Sequence, residues 1–290
     1  MGTEFRRRRG GISRIMPVET VFAVSVVAGL IGALSGMGGG VVLIPALTFL
    51  GLDIRHAIAV SVVSVIATSS GAAAAYVKDR LTHVKTGMFL EMFTINGALA
   101  GAAIMLVSGQ RLLFILFGAV LLGSWLALLS QRRVGGQKPR IQDRFSAWLE
   151  LSGSYYDLNQ EQVVAYRGTR AYLGGPLMFG VGMIAGMLGI GAGALKVLVL
   201  DLIMGYPPKV STTTSNMIIG VTALAGASVY LAAGLIDPGL AAPVALGVVG
   251  GAFAGTRLLV RMGNQAVRSL FLVVLLALGL EMIGNGLGVI

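Results

Sequence analysis

Three groups of residues in this 290-residue sequence could bind an ion. The first is a pair of glycine clusters, Gly36, Gly38, Gly39 and Gly40, then Gly189, Gly191 and Gly193. Positions 36, 38 and 40 recur at 189, 191 and 193 with a constant spacing of 153. Glycine lacks a Cβ and tolerates positive φ, so three in five residues predict a break in a helix. A broken helix aims main-chain N–H groups and a partial positive charge at its gap, and the natural ligand there is an anion. The second group is rich in hydroxyls. Thr212, Thr213, Thr214, Ser215 and Asn216 follow one another, Ser61, Ser64 and Thr68 share one face of an earlier helix, and Ser35 adjoins the first glycine cluster. Hydroxyls and an amide can donate to anion oxygens without a permanent charge, which suits an ion that must also leave. The third is Lys196, three residues past the second cluster in an apolar stretch, where a charge is costly and points to function.

Each group also has a blander reading. Glycines can serve close helix packing, and Gly97, Gly101, Gly251 and Gly255 are read that way. Serine and threonine hydroxyls can satisfy carbonyls of their own helix. Lys196 can snorkel to the interface or pair with Asp201. Glu91 is placed near the membrane interface, and Arg257 and Arg261 are read as topology anchors. An enzyme is not expected: the sequence has no zinc-ligand spacing, no nucleophile–histidine set and no phosphate loop with its lysine and hydroxyl. It has no cysteine and two histidines, so neither thiol chemistry nor a histidine-rich metal site is open to it, and no metal or cofactor is expected.

The elements that must position these residues are membrane spans. Hydrophobic residues make up 56% of the chain, charged residues only 12%, and the mean hydropathy is +0.86. Apolar runs of about 18 or more residues read as spans. They fall near residues 18–34, 57–77, 88–107, 112–130, 210–233, 241–260 and 267–283. Two shorter runs, 41–50 and 194–204, follow the glycine clusters and are too short to cross at about 1.5 Å per residue. Each is expected to form a re-entrant or half-helix hairpin with the glycines at its tip.

The sequence repeats internally. Beyond the glycine clusters the spacing becomes 154, pairing Gly51 with Gly205, Ser61 with Ser215, Tyr76 with Tyr230, Gly97 with Gly251 and Gly101 with Gly255. The loops of the two repeats carry opposite charge bias. Lys78, Arg80 and Lys85 lie between the runs 57–77 and 88–107, whereas the matching loop 234–239 has no basic residue. In the second repeat the bias sits one loop later, at Arg257, Arg261 and Arg268. By the positive-inside rule the two halves are oppositely oriented. This places the N-terminus outside, against the bias of the arginines at 6–9.

The expected organisation is an N-terminal tail over 1–16, a first transmembrane repeat over 17–130, a cytoplasmic linker over 131–171 and a second repeat over 172–290. Residues 1–5 read as a vector scar, and no cleavable signal peptide is evident. Within the linker, stretches 149–156 and 162–166 around Asp157 predict a small β-hairpin after a short amphipathic helix at 143–149.

The sequence resembles the TauE/SafE family of membrane proteins, described as sulfite or organosulfonate exporters. The residues that carry the likeness are Leu34-Ser-Gly-Met-Gly-Gly-Gly40 with Pro45, Met187-Leu-Gly-Ile-Gly-Ala-Gly193 with Lys196, and Pro207-Pro-Lys-Val-Ser-Thr-Thr-Thr-Ser-Asn216. The segments 153–157 and 236–238 also match, so that the likeness covers about 17–288. Ala192 departs from the usual triple glycine. The resemblance implies export of a small sulfur oxyanion, such as sulfite or sulfoacetate.

The expectation is an all-α polytopic membrane protein of the inner membrane with two inverted-topology repeats. Each repeat holds a glycine-broken hairpin and three spanning helices. It transports an anion held between the two breaks, by rocking one half against the other. The rival readings are a passive anion channel and a non-transporting membrane subunit that binds a partner through its linker. The expected partners are a small anionic substrate, the lipid bilayer and, as an option, a second copy of the chain in a homodimer. Nucleic acid is not among them.

Overall fold

The computed structural model describes residues 17–35, 39–78, 82–130, 142–157, 162–259 and 264–289. The first repeat supplies α1 (Val18–Ser35), α2 (Gly40–Phe49), α3 (Ile54–Lys78), α4 (Val84–Val107) and α5 (Gln110–Ser130). The linker supplies α6 (Arg144–Trp148) and the strands β1 (Ser152–Asp157) and β2 (Gln162–Arg167). The second repeat supplies α7 (Ala171–Leu188) and α8 (Gly193–Leu198), which runs on as a π-helical turn over Val199–Ile203. It continues with α9 (Pro208–Ala232), α10 (Pro238–Leu259) and α11 (Asn264–Leu287). Five of these helices, among the described residues, hold stretches long and apolar enough to cross a bilayer, in α4, α5, α7, α9 and α10.

Local chemistry sets the helix starts. Pro208 and Pro238 open α9 and α10, where a missing N–H costs nothing and a fixed φ favours the helical turn. Asp237 caps α10 by accepting from Gly239 N at 2.9 Å. The outer faces are greasy: Phe22, Met92, Leu246, Phe253, Val273 and Leu280 are all well exposed. Such a surface is stable only against lipid, where the helical backbone has no free polar groups.

The two repeats interlock. Helix α1 of the first packs along α10 of the second, and α7 of the second packs along α4 of the first. The pairs α3·α9 and α5·α11 join like positions of the two repeats. Exchanging the repeats therefore returns the same set of neighbours. Small residues make the crossings close. A Cβ on Gly97 or Gly101 would run into the main chain of Phe179 and Met183, and one on Gly182 or Gly186 into that of Thr94 and Ala98. Gly29 meets the Val248 main chain and Gly251 that of Val26 in the same way. The packing reading of Gly97, Gly101 and Gly251 thus holds. Rocking of one sequence half against the other does not fit this arrangement, because each half's first helix is locked to a helix of the other.

The linker folds as a cap on the start of α7. Asp143 accepts from Ser146 N at 3.1 Å and from Arg170 N at 2.6 Å, which ties α6 to the entry of α7. Burial alone would raise the Asp143 carboxyl, but these hydrogen bonds win and hold it below its ordinary value. The strands β1 and β2 pair antiparallel, from Ser152 with Arg167 to Asp157 with Gln162.

Candidate functional site

Helix α7 stops at Leu188, and the chain then turns through the left-handed region at Gly189 (φ +66), Gly191 (φ +68) and Ala192 (φ +47) before α8 begins. Glycine enters this region without strain, and Ala192 enters it despite its Cβ. The break survives the one substitution in the glycine pattern. In the first repeat α1 stops at Ser35 and α2 starts at Gly40. Gly36 and Gly38, with the side chain of Ser35, lie outside the described residues. Gly39 and Gly40 are buried, and Gly39 is right-handed (φ −64), the N-cap of α2.

The start of α2 meets the turn between α7 and α8. A Cβ on Gly40 would stand 3.0 Å from the Gly189 carbonyl oxygen and 3.7 Å from Cα of Ile190. Helices α3 and α9 flank the meeting point and bring hydroxyls to it. Ser61 Oγ donates to the Gly189 carbonyl at 3.2 Å, and Ser215 Oγ to the Gly193 carbonyl at 3.3 Å. These two serines are the pair that the repeat spacing matches. Ser64 donates to the Ser61 carbonyl at 2.7 Å and Thr68 to that of Ser64 at 2.9 Å. Thr213 bonds the carbonyls of Lys209 and Val210, each at 3.1 Å. Thr214 Oγ1 accepts from His83 N at 3.1 Å. Most of these hydroxyl protons therefore go to main-chain carbonyls. Thr212 is exposed, away from the buried Thr213, Thr214 and Ser215, and Asn216 is half-buried.

Lys196 is fully buried, at 0% exposure, so it does not snorkel. Its Nζ donates to Thr222 Oγ1 at 3.0 Å. Thr222 Oγ1 also donates to the Ile218 carbonyl at 2.7 Å and lies 3.2 Å from Thr94 Oγ1. An ammonium has three N–H donors, and here one of them is used. Glu91 is a charge that acts on it. Helix α4 begins at Val84, so Glu91 stands two turns inside, about 10 Å along the axis. The sequence placed Glu91 near the interface because it read the helix from position 88. The hydrophilic residues Lys85 and Thr86 in the true first turn masked that start.

A cavity of about 440 Å³ opens elsewhere, between the start of α4 and the hairpin, lined by Thr82, His83, Val84, Lys85, Glu150 and Ser152. His83 holds this junction together. Its Nδ1 accepts from Thr86 N at 3.2 Å, so Nε2 carries the proton and donates to the Ser152 carbonyl at 3.1 Å. Tyr206 sits behind it, with its hydroxyl 2.5 Å from Thr86 Oγ1 and bonded to the Leu151 carbonyl at 3.2 Å. Sequence reasoning assigned His83 no role, since a lone histidine carries no motif.

Broken helices meeting in the middle of a greasy helical bundle, beside a buried cation, define a multi-pass membrane protein of the transporter class. The family described as "Sulfite exporter TauE/SafE" matches residues 21–282, and the chain belongs to that family. It is also similar to the "Probable membrane transporter protein YunE" of Bacillus subtilis (strain 168), with 24% identity over 280 residues that cover 94% of this chain and 99% of that one. No solved structure matches. The protein is therefore a membrane transporter, multi-pass, of the cell inner membrane.

Proposed function

We propose that the transported species is a small sulfur oxyanion, sulfite or an organosulfonate such as sulfoacetate, bound beside Lys196 between the two breaks. The observation that carries this reading is the Lys196 ammonium. It is wholly buried and has one hydrogen-bond acceptor for three N–H groups. An unsatisfied buried charge costs several kcal/mol, and a bound anion is what would offset it. The family description supplies the sulfur chemistry. The main-chain N–H groups of the breaks at Gly191 and Gly193 and at Gly39 and Gly40 would supply further donors.

The mechanism that fits is alternating access in an inverted repeat, with 17–130 and 172–290 as the repeated units and 131–171 as a cytoplasmic linker. The charge bias of the loops supports the inversion. The moving bodies would be mixed bundles rather than sequence halves. One is α1, α2, α3 and α10; the other is α4, α7, α8 and α9. They face each other across α3 and α9, where the breaks lie.

The test is Lys196→Met, measured by binding of sulfite and sulfoacetate to purified protein. The apolar chain keeps the length of the side chain, but it leaves Glu91 without its countercharge, so binding is measured on monodisperse protein. The variant is expected to purify normally and to lose binding by a hundredfold or more. If it binds both anions like the unmodified protein, the anion site lies elsewhere. A passive channel with the same site would instead show single-channel currents in planar bilayers.

A further inference from the structure

The Lys196 network leads to a second charge. Glu91 Oε1 is buried and has no hydrogen-bond partner. Lys196 is the charged group whose field Glu91 feels. Yet no ion pair joins the two: the one side-chain bond of Lys196 among the described residues goes to Thr222. Two threonines lie between their helices. Lys196 Nζ donates to Thr222 Oγ1 at 3.0 Å, and Thr222 Oγ1 is 3.2 Å from Thr94 Oγ1. Thr94 stands one turn after Glu91 on α4 and bonds the Glu91 main-chain carbonyl at 3.1 Å, so Glu91 lies one turn from the Lys196 network without a bond to its carboxyl.

Other titratable groups near α4 do not complicate this pair. Tyr172 of α7 and Lys209 of α9 are exposed, and the Tyr230 hydroxyl is bonded to the Gly186 carbonyl. Arg55 and His56 of α3 lie at the far end of α4, where Arg55 bonds the Ser108 carbonyl. Asp201 lies in the π turn that follows α8, and Arg144 of α6 is exposed.

An ammonium and a carboxylate near each other but out of contact are each incompletely satisfied. An anion entering beside Lys196 would meet the negative charge of Glu91, and like charges at close range in a poorly polar interior repel strongly. A proton on Glu91 removes that repulsion. By linkage, whatever makes the anion bind more tightly in the presence of the proton makes the proton bind more tightly in the presence of the anion.

We propose that Glu91 is the proton site of this transporter, and that an anion at Lys196 and a proton on the Glu91 carboxyl bind and leave together. The coupled ion is then a proton, and the pair moves without net charge for a monovalent anion. This rests on the anion reading given above.

The experiment uses the purified full-length protein in weakly buffered solution with a pH-sensitive dye. Sulfoacetate is the probe, because its acid groups stay ionised near neutral pH. Its binding to the unmodified protein should take up about one proton per anion, and the affinity should tighten as pH falls, by up to about tenfold per pH unit. Glu91→Gln, which is nearly the same shape and is neutral, should bind sulfoacetate without proton uptake and with an affinity that no longer follows pH. Binding by the unmodified protein without proton uptake overturns the coupling and spares the anion site. Proton uptake that persists in Glu91→Gln also overturns it. Failure of the unmodified protein to bind sulfoacetate or sulfite at any pH overturns the anion reading, and the coupling with it. The proton-uptake arm needs no variant, so poor folding of Glu91→Gln does not decide the matter.

Discussion

The hydroxyl of Ser61 donates to the carbonyl oxygen of Gly189 at 3.2 Å, across 128 residues of sequence. The donor belongs to α3 and the acceptor to the turn between α7 and α8. A carbonyl freed by a break has no helical partner and must find one when buried. Ser61 offers such a partner, but its one proton is shared with the Ile58 carbonyl of its own helix, 2.8 Å away.

Ser61→Ala should therefore destabilise the protein by about 0.5–1.5 kcal/mol, the net worth of one shared hydrogen bond. Ser64→Ala should cost less, because its acceptor is the Ser61 carbonyl inside a continuous helix. Thermal unfolding of the two variants in one detergent makes the comparison. Equal melting temperatures would mean that the Ser61 bond does not hold the break.

Gly191→Val should abolish anion binding. A Cβ there would lie 2.9 Å from Ile219 Cγ2 and 3.0 Å from Val65 Cγ1, and φ is +68. The neighbouring atoms are side-chain tips that can shift, so a strain of about 1–3 kcal/mol is expected rather than failure to fold. Gly101→Val meets the Met183 main chain, which cannot shift, and should cut yield sharply. Binding on monodisperse protein separates the cases: a Gly191→Val protein with unchanged sulfonate affinity removes the break from the site.

Opposite orientation of the repeats is open to a labelling test in this cysteine-free chain. Thr82→Cys, beside the basic loop, should react only from the cytoplasmic side. Ile236→Cys, in the loop without basic residues, should react only from outside. Membrane-impermeant reagents applied to intact cells and to inverted vesicles give the answer, and reaction of both from one side would end the inverted-repeat reading.

The hairpin's attachment should weaken in acid. Burial pulls His83 below its ordinary value of 6.5, Lys85 adds to this and the Ser152 carbonyl opposes it. The folded state thus holds the neutral ring, while an opened hairpin leaves His83 free to take a proton near its ordinary value. Attachment is complete above pH 6.5 and is lost progressively as pH falls from there towards the depressed folded value. The geometry agrees, since a proton on Nδ1 would face the Thr86 N–H that Nδ1 now accepts. Hydrogen exchange of β1 and β2 should rise on acidification, and His83→Gln should flatten that rise. Exchange that is the same on both sides of pH 6.5 would remove His83 as the latch.

Glycine spacing, run length and hairpin signals are local properties, and they were legible in the sequence. They marked the interruption before α8, the shortness of α2 and α8, and the small hairpin after α6. Helix ends were misread where polar residues such as Lys85 and Thr86 continue a helix past its apolar stretch, and that error put Glu91 one turn too close to the start of its helix. Partnership across the molecule was not legible. Nothing local says that α1 packs on α10 rather than on α4, that Ser61 reaches a carbonyl at position 189, or that Lys196 meets Thr222. Those choices are made by close packing of whole helix faces, where the Gly97, Gly101, Gly182 and Gly186 crossings admit one neighbour and exclude others, and only the assembled bundle decides which charges end up in one low-dielectric space.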